Sequence, residues 1–331
     1  MHKGRYLFIF GGTIGDGLLG AHLGRLLRAN VPDATLTIVS TRRSSFMREL
    51  IGPLPFVDFL EMPKESFGSW VWLLSLVWSP WKCAVYVPLS GMPLWWRMIL
   101  WFASRRRGSI IARPTITIDE HRQMFDTPLD VLAKWDIPVH EKLRPTLPFN
   151  ASDCKPNIQP QFLYLVFHFF AGITRRSVPT TRAKEILAAV HAAFPNHALI
   201  LTGSAGDKNR AERIAQATGT QMRAALGPRD LECLIAGAAA YVGVDTGTTH
   251  IAAHLSAPMV VLGHNNAPFW WTPPYTPRSI VLRADKNCLC LQGRTAECFY
   301  PSSEGSAYRC IIDISTADII ASIQQVINAK I

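Results

Sequence analysis

Residues 241–263 read YVGVDTGTTHIAAHLSAPMVVLG, and this stretch indicates the class of fold. An apolar run ends at Asp245, a loop of glycine and threonine follows, and His250 begins a second apolar run, with a third run after Pro258. These lengths predict a buried strand, a loop, a helix and another buried strand. Ligands bind parallel sheets at the loops that follow the carboxyl ends of strands, so the stretch also predicts a binding site.

Strands and helices alternate in the same way on both sides of this stretch. In the first forty residues an apolar run at 6–10, a glycine loop, leucines at helical spacing and a run at 34–40 predict a βαβ unit. The second half predicts strands at 162–168, 198–202, 240–244 and 258–262, and helices at 181–194, 207–218, 228–237, 250–255 and after Ser315 or Thr316. The alternation predicts an α/β protein with parallel sheets.

The length predicts two domains, because 331 residues exceed what a single hydrophobic core usually serves. The segment 136–161 holds five prolines in 26 residues and shows little periodicity, which is typical of a linker. We therefore expect a first domain at 1–155 and a second at 156–331.

The net charge of +10 predicts an anionic partner. Nucleic acid is the least favoured partner, because no basic run alternates with aromatic residues and no helix-turn-helix or zinc-finger spacing is present. The first apolar run is too short for the core of a signal peptide. Seven cysteines without an export signal favour a reduced, cytoplasmic protein over a disulfide framework.

The segment 70–101 is rich in tryptophan, but prolines and charges interrupt it before about 20 apolar residues could span a bilayer. One interpretation is a buried helix and strand of the first domain. The other is a surface element whose tryptophans lie at the inner membrane while Arg97, Arg105, Arg106 and Arg107 contact acidic headgroups.

The loop after the strand at 240–244 suits a phosphate ligand, because a helix begins with unpaired N–H groups and a partial positive charge. Gly247 would let a ligand approach the backbone, and His250 would add an N–H. Hydroxyl donors would come from Thr246, Thr248 and Thr249, and Asp245 belongs to the same donor-binding loop. The alternative is structural, with Asp245 or a threonine capping the helix and His250 bonded to a backbone carbonyl.

Four segments resemble glycosyltransferase family nine, the lipopolysaccharide heptosyltransferases. GVDTGTTHIAAHLSAPMVVLG, residues 243–263, resembles the family's Asp-Thr-Gly, His and Ala-Ala signature and the proline before the next strand. LGPRDLECLIAGAAAYVG (226–243), IFGGTIGDGLLGAHLGRLLRANVPDATLTIV (9–39) and FHFFAGITRRSVPTTRAKEIL (167–187) resemble further family segments. The resemblance implies a GT-B fold, in which two Rossmann-like, doubly wound parallel-sheet domains face each other across a cleft.

The same resemblance implies a role for individual residues. Asp16 matches the acidic residue taken as the catalytic base. Gly172, Thr174 and Arg176 match the family's Gly, Thr and phosphate-binding Lys, with Arg in place of Lys. The implied reaction moves heptose from ADP-heptose to a lipopolysaccharide core or related glycoconjugate, with inversion at the anomeric carbon. The second domain would bind the donor and the first an anionic acceptor, in the cytoplasm or on the cytoplasmic face of the inner membrane.

Elementary chemistry supports these roles without a cofactor. A helix terminus and an arginine can stabilise a departing pyrophosphate, and a carboxylate can take the proton of an acceptor hydroxyl. The alternatives are that Asp16 is the N-cap of the following helix and that Arg176 is a solvated surface charge.

The segment near the C-terminus contains four cysteines within 23 residues, at Cys288, Cys290, Cys298 and Cys310. Four thiolates hold zinc or iron tetrahedrally, so they predict a structural metal. Buried thiols are the alternative.

Two other functions stay open from the sequence. GGTIGDG superficially resembles a dinucleotide loop, but its glycines lack the Gly-x-Gly-x-x-Gly spacing of a dehydrogenase. The other is a sugar-nucleotide or glycan binding protein of the same fold without turnover.

Overall fold

The computed structural model describes residues 5–11, 13–41, 44–61, 68, 71–72, 75, 83–86, 109–111, 127–140, 143–155, 162–264, 278–284, 298–302 and 305–329. Most of the tryptophan-rich segment, Arg97, Arg105 to Arg107, Cys288 and Cys290 lie outside the described residues. The chain divides into two compact units, Met1–Pro145 and Thr146–Ile331.

The first unit is a parallel α/β sheet, as the βαβ pattern predicts. Its elements are β1 (Arg5–Phe10), α1 (Ile14–Asn30), β2 (Thr35–Ser40), α2 (Ser45–Ile51), β3 (Val57–Glu61), β4 (Cys83–Tyr86), β5 (Ser109–Ile111) and α3 (Thr127–Lys134). The strands lie in the order β3-β2-β1-β4-β5. The absence of a side chain at Gly20 lets helix α1 pack closely on β1. A Cβ atom there would lie 2.8 Å from the ring of Phe8.

The second unit has a six-stranded parallel sheet. Its elements are β6 (Tyr164–His168), α4 (Thr180–Ala193), β7 (Ala198–Gly203), α5 (Lys208–Thr218), β8 (Gln221–Ala224), α6 (Pro228–Ala236), β9 (Ala240–Val244), α7 (Gly247–His254), β10 (Met259–Leu262) and β11 (Ser279–Leu282). The order β8-β7-β6-β9-β10-β11 is that of a Rossmann sheet. The direction of winding reverses between β6 and β9, which is where such sheets bind ligands.

A short hairpin and two helices complete the second unit. Strands β12 (Phe299–Ser302) and β13 (Gly305–Tyr308) are antiparallel, and α8 (Arg309–Ile312) and α9 (Thr316–Asn328) follow. Ser315 caps α9 by accepting a hydrogen bond from the Asp318 N–H at 3.0 Å. Helix α9 buries Ile319, Ile323 and Val326 in the same core as the strands of the sheet.

Residues 146–155 belong to the second compact unit, so the two units divide ten residues before the boundary expected at 155. The Leu147 N–H donates to the His254 carbonyl at 3.2 Å. Cys154 forms a disulfide with Cys233 of α6, with Cα atoms 5.7 Å apart. The sequence favoured reduced cysteines over a disulfide framework, and this pair differs from that expectation.

Helix α7 begins at Gly247, three residues earlier than predicted from its apolar residues. The side chain of Thr246 accepts a hydrogen bond from the Thr248 N–H at 3.4 Å and so caps the helix. Among the helices in the described ranges, none has the length and apolar character needed to cross a membrane.

Candidate functional site

Three ionisable side chains follow neighbouring strands of the second sheet at their carboxyl ends. His168 ends β6, Asp245 follows β9, and His264 lies two residues after β10. Strands β6 and β9 are the pair at which the winding reverses, and β10 pairs with β9 on its other side. All three residues are buried, with exposed fractions of 9%, 3% and 1%. A parallel sheet therefore gathers them at one edge.

The start of α7 is fixed by side chains of β9 and of the helix itself. The Thr249 hydroxyl donates to the Val244 carbonyl and contacts the Tyr241 hydroxyl at 3.1 Å. Gly243 makes room for this arrangement, because a Cβ atom there would collide with the Tyr241 side chain. Thr249 is fully buried, so its hydroxyl proton is used within the fold.

Asp245 is surrounded by cationic or protonatable side chains. Its Oδ2 atom lies 3.6 Å from His264 Nε2 and 3.9 Å from Arg176 Nη1, and its Oδ1 atom lies 4.0 Å from His250 Nε2. Arg283 adds electrostatic attraction and donates from Nη1 to the His264 carbonyl at 2.9 Å. We call Arg176, Asp245, His250, His264 and the amino end of α7 the anion site.

The surroundings of Asp245 keep its carboxylate ionised. Burial raises its pKa, but contact with His264 and the positive potential of His250, His264 and Arg176 outweigh burial, so the pKa is lowered. Burial lowers the pKa of His250, and Asp245 offsets this only in part. His250 is therefore neutral near pH 7 and Asp245 is charged.

A chain of hydrogen bonds links β6, β7 and α7. The Thr202 hydroxyl donates to the Phe167 carbonyl at 3.0 Å, so Thr202 Oγ1 accepts from His168 Nδ1 at 2.9 Å. Burial lowers the pKa of His168 to about 4, although the charge of Asp207 opposes the shift. The neutral ring then accepts at Nε2 from the Thr248 hydroxyl at 3.4 Å. This pattern assigns the Nδ1–H tautomer to His168 and directs the Thr248 proton toward it.

The loop after β6 brings Arg176 to the anion site. A 3-10 helix spans Thr174–Arg176, and the Arg176 N–H donates to the Ile173 carbonyl at 2.9 Å. The Arg176 side chain is 33% exposed, so one side faces Asp245 and solvent reaches the other. Gly172 and Thr174 are exposed beside it, and a Cβ atom at Gly172 would meet nothing within 4 Å.

Asp16 lies in the first unit, in the first turn of α1. The N-cap of α1 is Thr13, which accepts from the Asp16 N–H at 3.3 Å and donates its hydroxyl to Asp16 Oδ2 at 2.7 Å. Asp16 is thus not the N-cap, contrary to the structural alternative. Burial raises the pKa of Asp16, and the Thr13 hydrogen bond opposes this shift without cancelling it.

The structure brings Arg176, Asp245 and His250 together, and it places the Thr246 and Thr249 side chains in helix-start contacts. Sequence reasoning did not single out His168 or His264. Both could have been found by asking which residue follows every buried strand, since this rule had already selected Asp245.

Two of the four clustered cysteines fall in the described segments. Cys298 precedes β12 and Cys310 lies in α8, and each is 1% exposed. The Arg309 N–H donates to the Cys298 carbonyl at 2.9 Å, so the two cysteines lie at the base of the hairpin. Within the described part of the chain, no three His, Cys, Asp or Glu side chains are arranged to hold a metal ion.

Solved structures show the same fold. The chain matches E. coli ADP-heptose LPS heptosyltransferase II with a TM-score of 0.71 and 19% identity, over 98% of each chain. E. coli heptosyltransferase WaaC, with ADP-2-deoxy-2-fluoro heptose, gives 0.63 and 14%, over 97% of this chain and 99% of WaaC. The E. coli dodecameric iron-containing heptosyltransferase TibC, with ADP-D-β-D-heptose, gives 0.60 and 12%, over 98% of this chain and 76% of TibC. These likenesses confirm the predicted GT-B fold.

The sequence matches one family. No curated protein sequence matches the chain. The profile of glycosyltransferase family 9 (heptosyltransferase) matches residues 104–299, which is more than half of the chain. The fold of two parallel sheets and the helix start beside a cationic cluster agree with this match. The chain belongs to glycosyltransferase family 9.

Proposed function

We propose that this glycosyltransferase moves heptose from ADP-heptose to a lipopolysaccharide core or a related glycoconjugate. The observation that carries the proposal is the convergence of Arg176 and His250 on Asp245 at the amino end of α7. The family match supports it, as do the ADP-heptose compounds in the WaaC and TibC structures. Membership of a glycosyltransferase family removes the basis for the dehydrogenase alternative.

The donor diphosphate binds at the anion site in this proposal. The amino end of α7, with its partial positive charge, and the Arg176 guanidinium receive the phosphate oxygens, and Gly172, Thr174, Thr246 and Gly247 border the ligand. Asp245 does not touch the phosphates. It stays ionised and attracts the Arg176 guanidinium, and its Oδ1 atom lies 4.0 Å from His250 Nε2, so it holds both side chains in place.

Asp16 acts on the acceptor. The acceptor hydroxyl oxygen forms a bond to the anomeric carbon, the bond from that carbon to the diphosphate oxygen breaks, and the hydroxyl proton passes to Asp16. Direct attack inverts the anomeric centre. The raised pKa of Asp16 suits this role, because a carboxylate of higher pKa accepts a proton more readily. The departing charge is stabilised by α7 and Arg176 without a metal.

A structural zinc or iron at the four clustered cysteines is part of the proposal. Cys298 and Cys310 both lie at the base of the hairpin, and TibC is an iron-containing heptosyltransferase. Elemental analysis of purified protein should find about one metal per chain, as expected for a four-cysteine site. The same analysis of Cys310→Ser should find less. An equal metal content in both proteins would contradict the site.

The predicted acceptor is anionic, in keeping with the net charge of +10. Location on the cytoplasmic face of the inner membrane belongs to the proposal as well. Mass spectrometry of protein taken directly from cells would report whether Cys154 and Cys233 are bonded there, and a reduced pair would favour a reducing compartment.

The decisive experiment is a donor screen. ADP-heptose and ADP-, GDP- and UDP-hexoses would be tested by thermal shift and by release of the nucleoside diphosphate. We expect ADP-heptose to raise the melting temperature most and to be turned over with acceptor. Folded protein that binds no donor and releases no diphosphate would contradict the proposal.

Arg176 offers a matched pair of variants for the same screen. Arg176→Met removes the guanidinium and should abolish the thermal shift, whereas Arg176→Lys restores the residue type of the family and should keep it. Equal shifts for the wild-type protein and Arg176→Met would remove Arg176 from the diphosphate site.

A further inference from the structure

The hairpin of β12 and β13 carries two aromatic rings that face each other across its strands. Phe299 pairs with Tyr308 in the register of the hairpin, and their ring centroids are 5.2 Å apart. We call these two residues the aromatic bracket. Cys298 stands directly before the bracket and Cys310 two residues after it.

One end of the aromatic bracket holds the loop that carries Arg176. The Arg175 guanidinium lies over the Phe299 ring, with Cζ 4.8 Å from the ring centroid. Arg175 is exposed and is the chain neighbour of Arg176, whose Nη1 lies 3.9 Å from Asp245. A cation over an aromatic face is attracted by the ring, so Phe299 restrains the backbone next to Arg176.

The other end of the aromatic bracket holds His264. The His264 and Tyr308 rings are stacked, with centroids 5.0 Å apart and planes at 9°. His264 Nε2 lies 3.6 Å from Asp245, and neither ring nitrogen has a hydrogen-bond partner among the described residues. A buried ring without hydrogen bonds takes its orientation from what it stacks on and from the charge it faces.

The contacts form a closed circuit through the anion site. It runs from Arg175 to Phe299, Tyr308, His264, Asp245 and Arg176, which adjoins Arg175. The hairpin therefore contacts two neighbours of Asp245: the loop that carries Arg176, through Arg175, and the His264 ring.

We propose that the aromatic bracket is a positioning device for the anion site, in which Tyr308 orients His264 against Asp245 and Phe299 restrains the loop of Arg176. Phe299, Tyr308 and His264 are positioning residues, and the buried His264 ring acts within the anion site through Asp245 and not by touching the donor. The cysteine-containing segment then serves donor binding, because its buried cysteines lie at the base of the hairpin that carries the bracket, where the Arg309 N–H donates to the Cys298 carbonyl. The inference rests on the proposed function in that the ligand is a diphosphate.

The test measures binding by calorimetry, with ADP, GDP, UDP and inorganic pyrophosphate as probes. Tyr308→Leu should weaken the tightest of these by about tenfold, since an aromatic stack is worth about that much in an equilibrium constant. Tyr308→Phe keeps the ring and should bind as tightly as the wild-type protein. His264→Phe keeps the stack but loses the contact with Asp245, so it should weaken binding as well.

The double variant His264→Phe/Tyr308→Leu separates positioning from general damage. If Tyr308 acts through His264, the double variant binds no more weakly than His264→Phe alone. Losses that multiply would overturn the proposal, as would wild-type affinity in Tyr308→Leu with only a lower melting temperature.

Further outcomes are also decisive. If Tyr308→Leu fails to fold, exposed Arg175→Met replaces it, with binding weaker by about threefold at an unchanged melting temperature as the expected result. Unchanged binding there would overturn the proposal. Wild-type protein that binds pyrophosphate but no nucleoside diphosphate would refute the proposed function, while weaker pyrophosphate binding in the variants would still support the bracket. No binding of any probe would overturn both.

Discussion

Each unit of the molecule places an aspartate where a helix begins after a strand of its parallel sheet. Asp16 lies in the first turn of α1, and Asp245 lies just before α7. Asp16 has the Thr13 hydroxyl as donor, and burial raises its pKa. Asp245 faces Arg176 and two histidines, and its pKa is lowered. The comparison shows that the neighbouring charges, and not the position at a helix start, decide whether a carboxylate is suited to accept a proton.

The largest expected effect comes from removing the base. Asp16→Asn should lower kcat by about 10² to 10⁴-fold, the usual contribution of general base catalysis, because the amide cannot accept the acceptor proton. Donor affinity should change little, since Asp16 lies outside the anion site. Steady-state kinetics with a calorimetric Kd would measure both. A kcat within tenfold of wild type would return Asp16 to a structural role, and a protein with no turnover to lose would favour the non-catalytic alternative.

In the second unit, Asp245→Asn should lower the free energy of unfolding. A lowered folded-state pKa means that Asp245 stabilises the protein above its unfolded-state pKa and that this contribution is lost as pH falls. Asp245→Asn removes it and leaves buried neighbours without their anion, so the free energy of unfolding should fall by about 2 kcal/mol at pH 7. Urea denaturation would measure this.

Asp16→Asn is the matched control for that measurement. A raised folded-state pKa means that ionised Asp16 is unfavourable for folding as pH rises, so replacing it with a neutral amide should not lower stability. Equal losses of stability in Asp16→Asn and Asp245→Asn would contradict the difference between the two aspartates.

A smaller effect is expected in the pH dependence of kcat/KM. Activity should fall as pH decreases through the pKa of Asp16, because the protonated carboxyl cannot take a proton, and this limb should lie above the range of an ordinary aspartate. Asp245→Asn should leave the position of the limb unchanged, since Asp245 is not the group that titrates. If the limb moved in Asp245→Asn and persisted in the residual activity of Asp16→Asn, Asp245 and not Asp16 would be the base.

Much of the fold follows from local pattern. Strands β6, β7, β9 and β10 lie within a residue or two of their predicted ranges, because continuous apolar runs are what a doubly covered parallel sheet requires. The exceptions have causes that hydrophobic periodicity does not reveal. The Thr246 cap starts α7 earlier than its apolar residues do, and the disulfide between Cys154 and Cys233 joins residues 79 apart in sequence.

The site was less predictable than the fold. The rule for carboxyl ends of strands selected Asp245, and the resemblance to a family selected Arg176, which the structure places 3.9 Å away. The pKa directions of Asp16 and Asp245 depend on burial and on partners distant in sequence, so no single segment contains them. His264 and His168 were missed because a lone histidine after a strand carries no motif, and only the fold brings them to the site.

The smallest expected effect tests how α7 is anchored beneath Asp245. Thr248→Val removes the hydroxyl that donates to His168 Nε2 and leaves that buried nitrogen without a donor. A neutral hydrogen bond of this kind is worth about 1 kcal/mol, so nucleoside diphosphate affinity should fall by about fivefold as the start of α7 loosens. Thr248→Ser keeps the hydroxyl and should bind like wild type. If Thr248→Ser is as weak as Thr248→Val, the methyl group and not the hydroxyl holds the helix, and the Nδ1–H tautomer assigned to His168 loses its support.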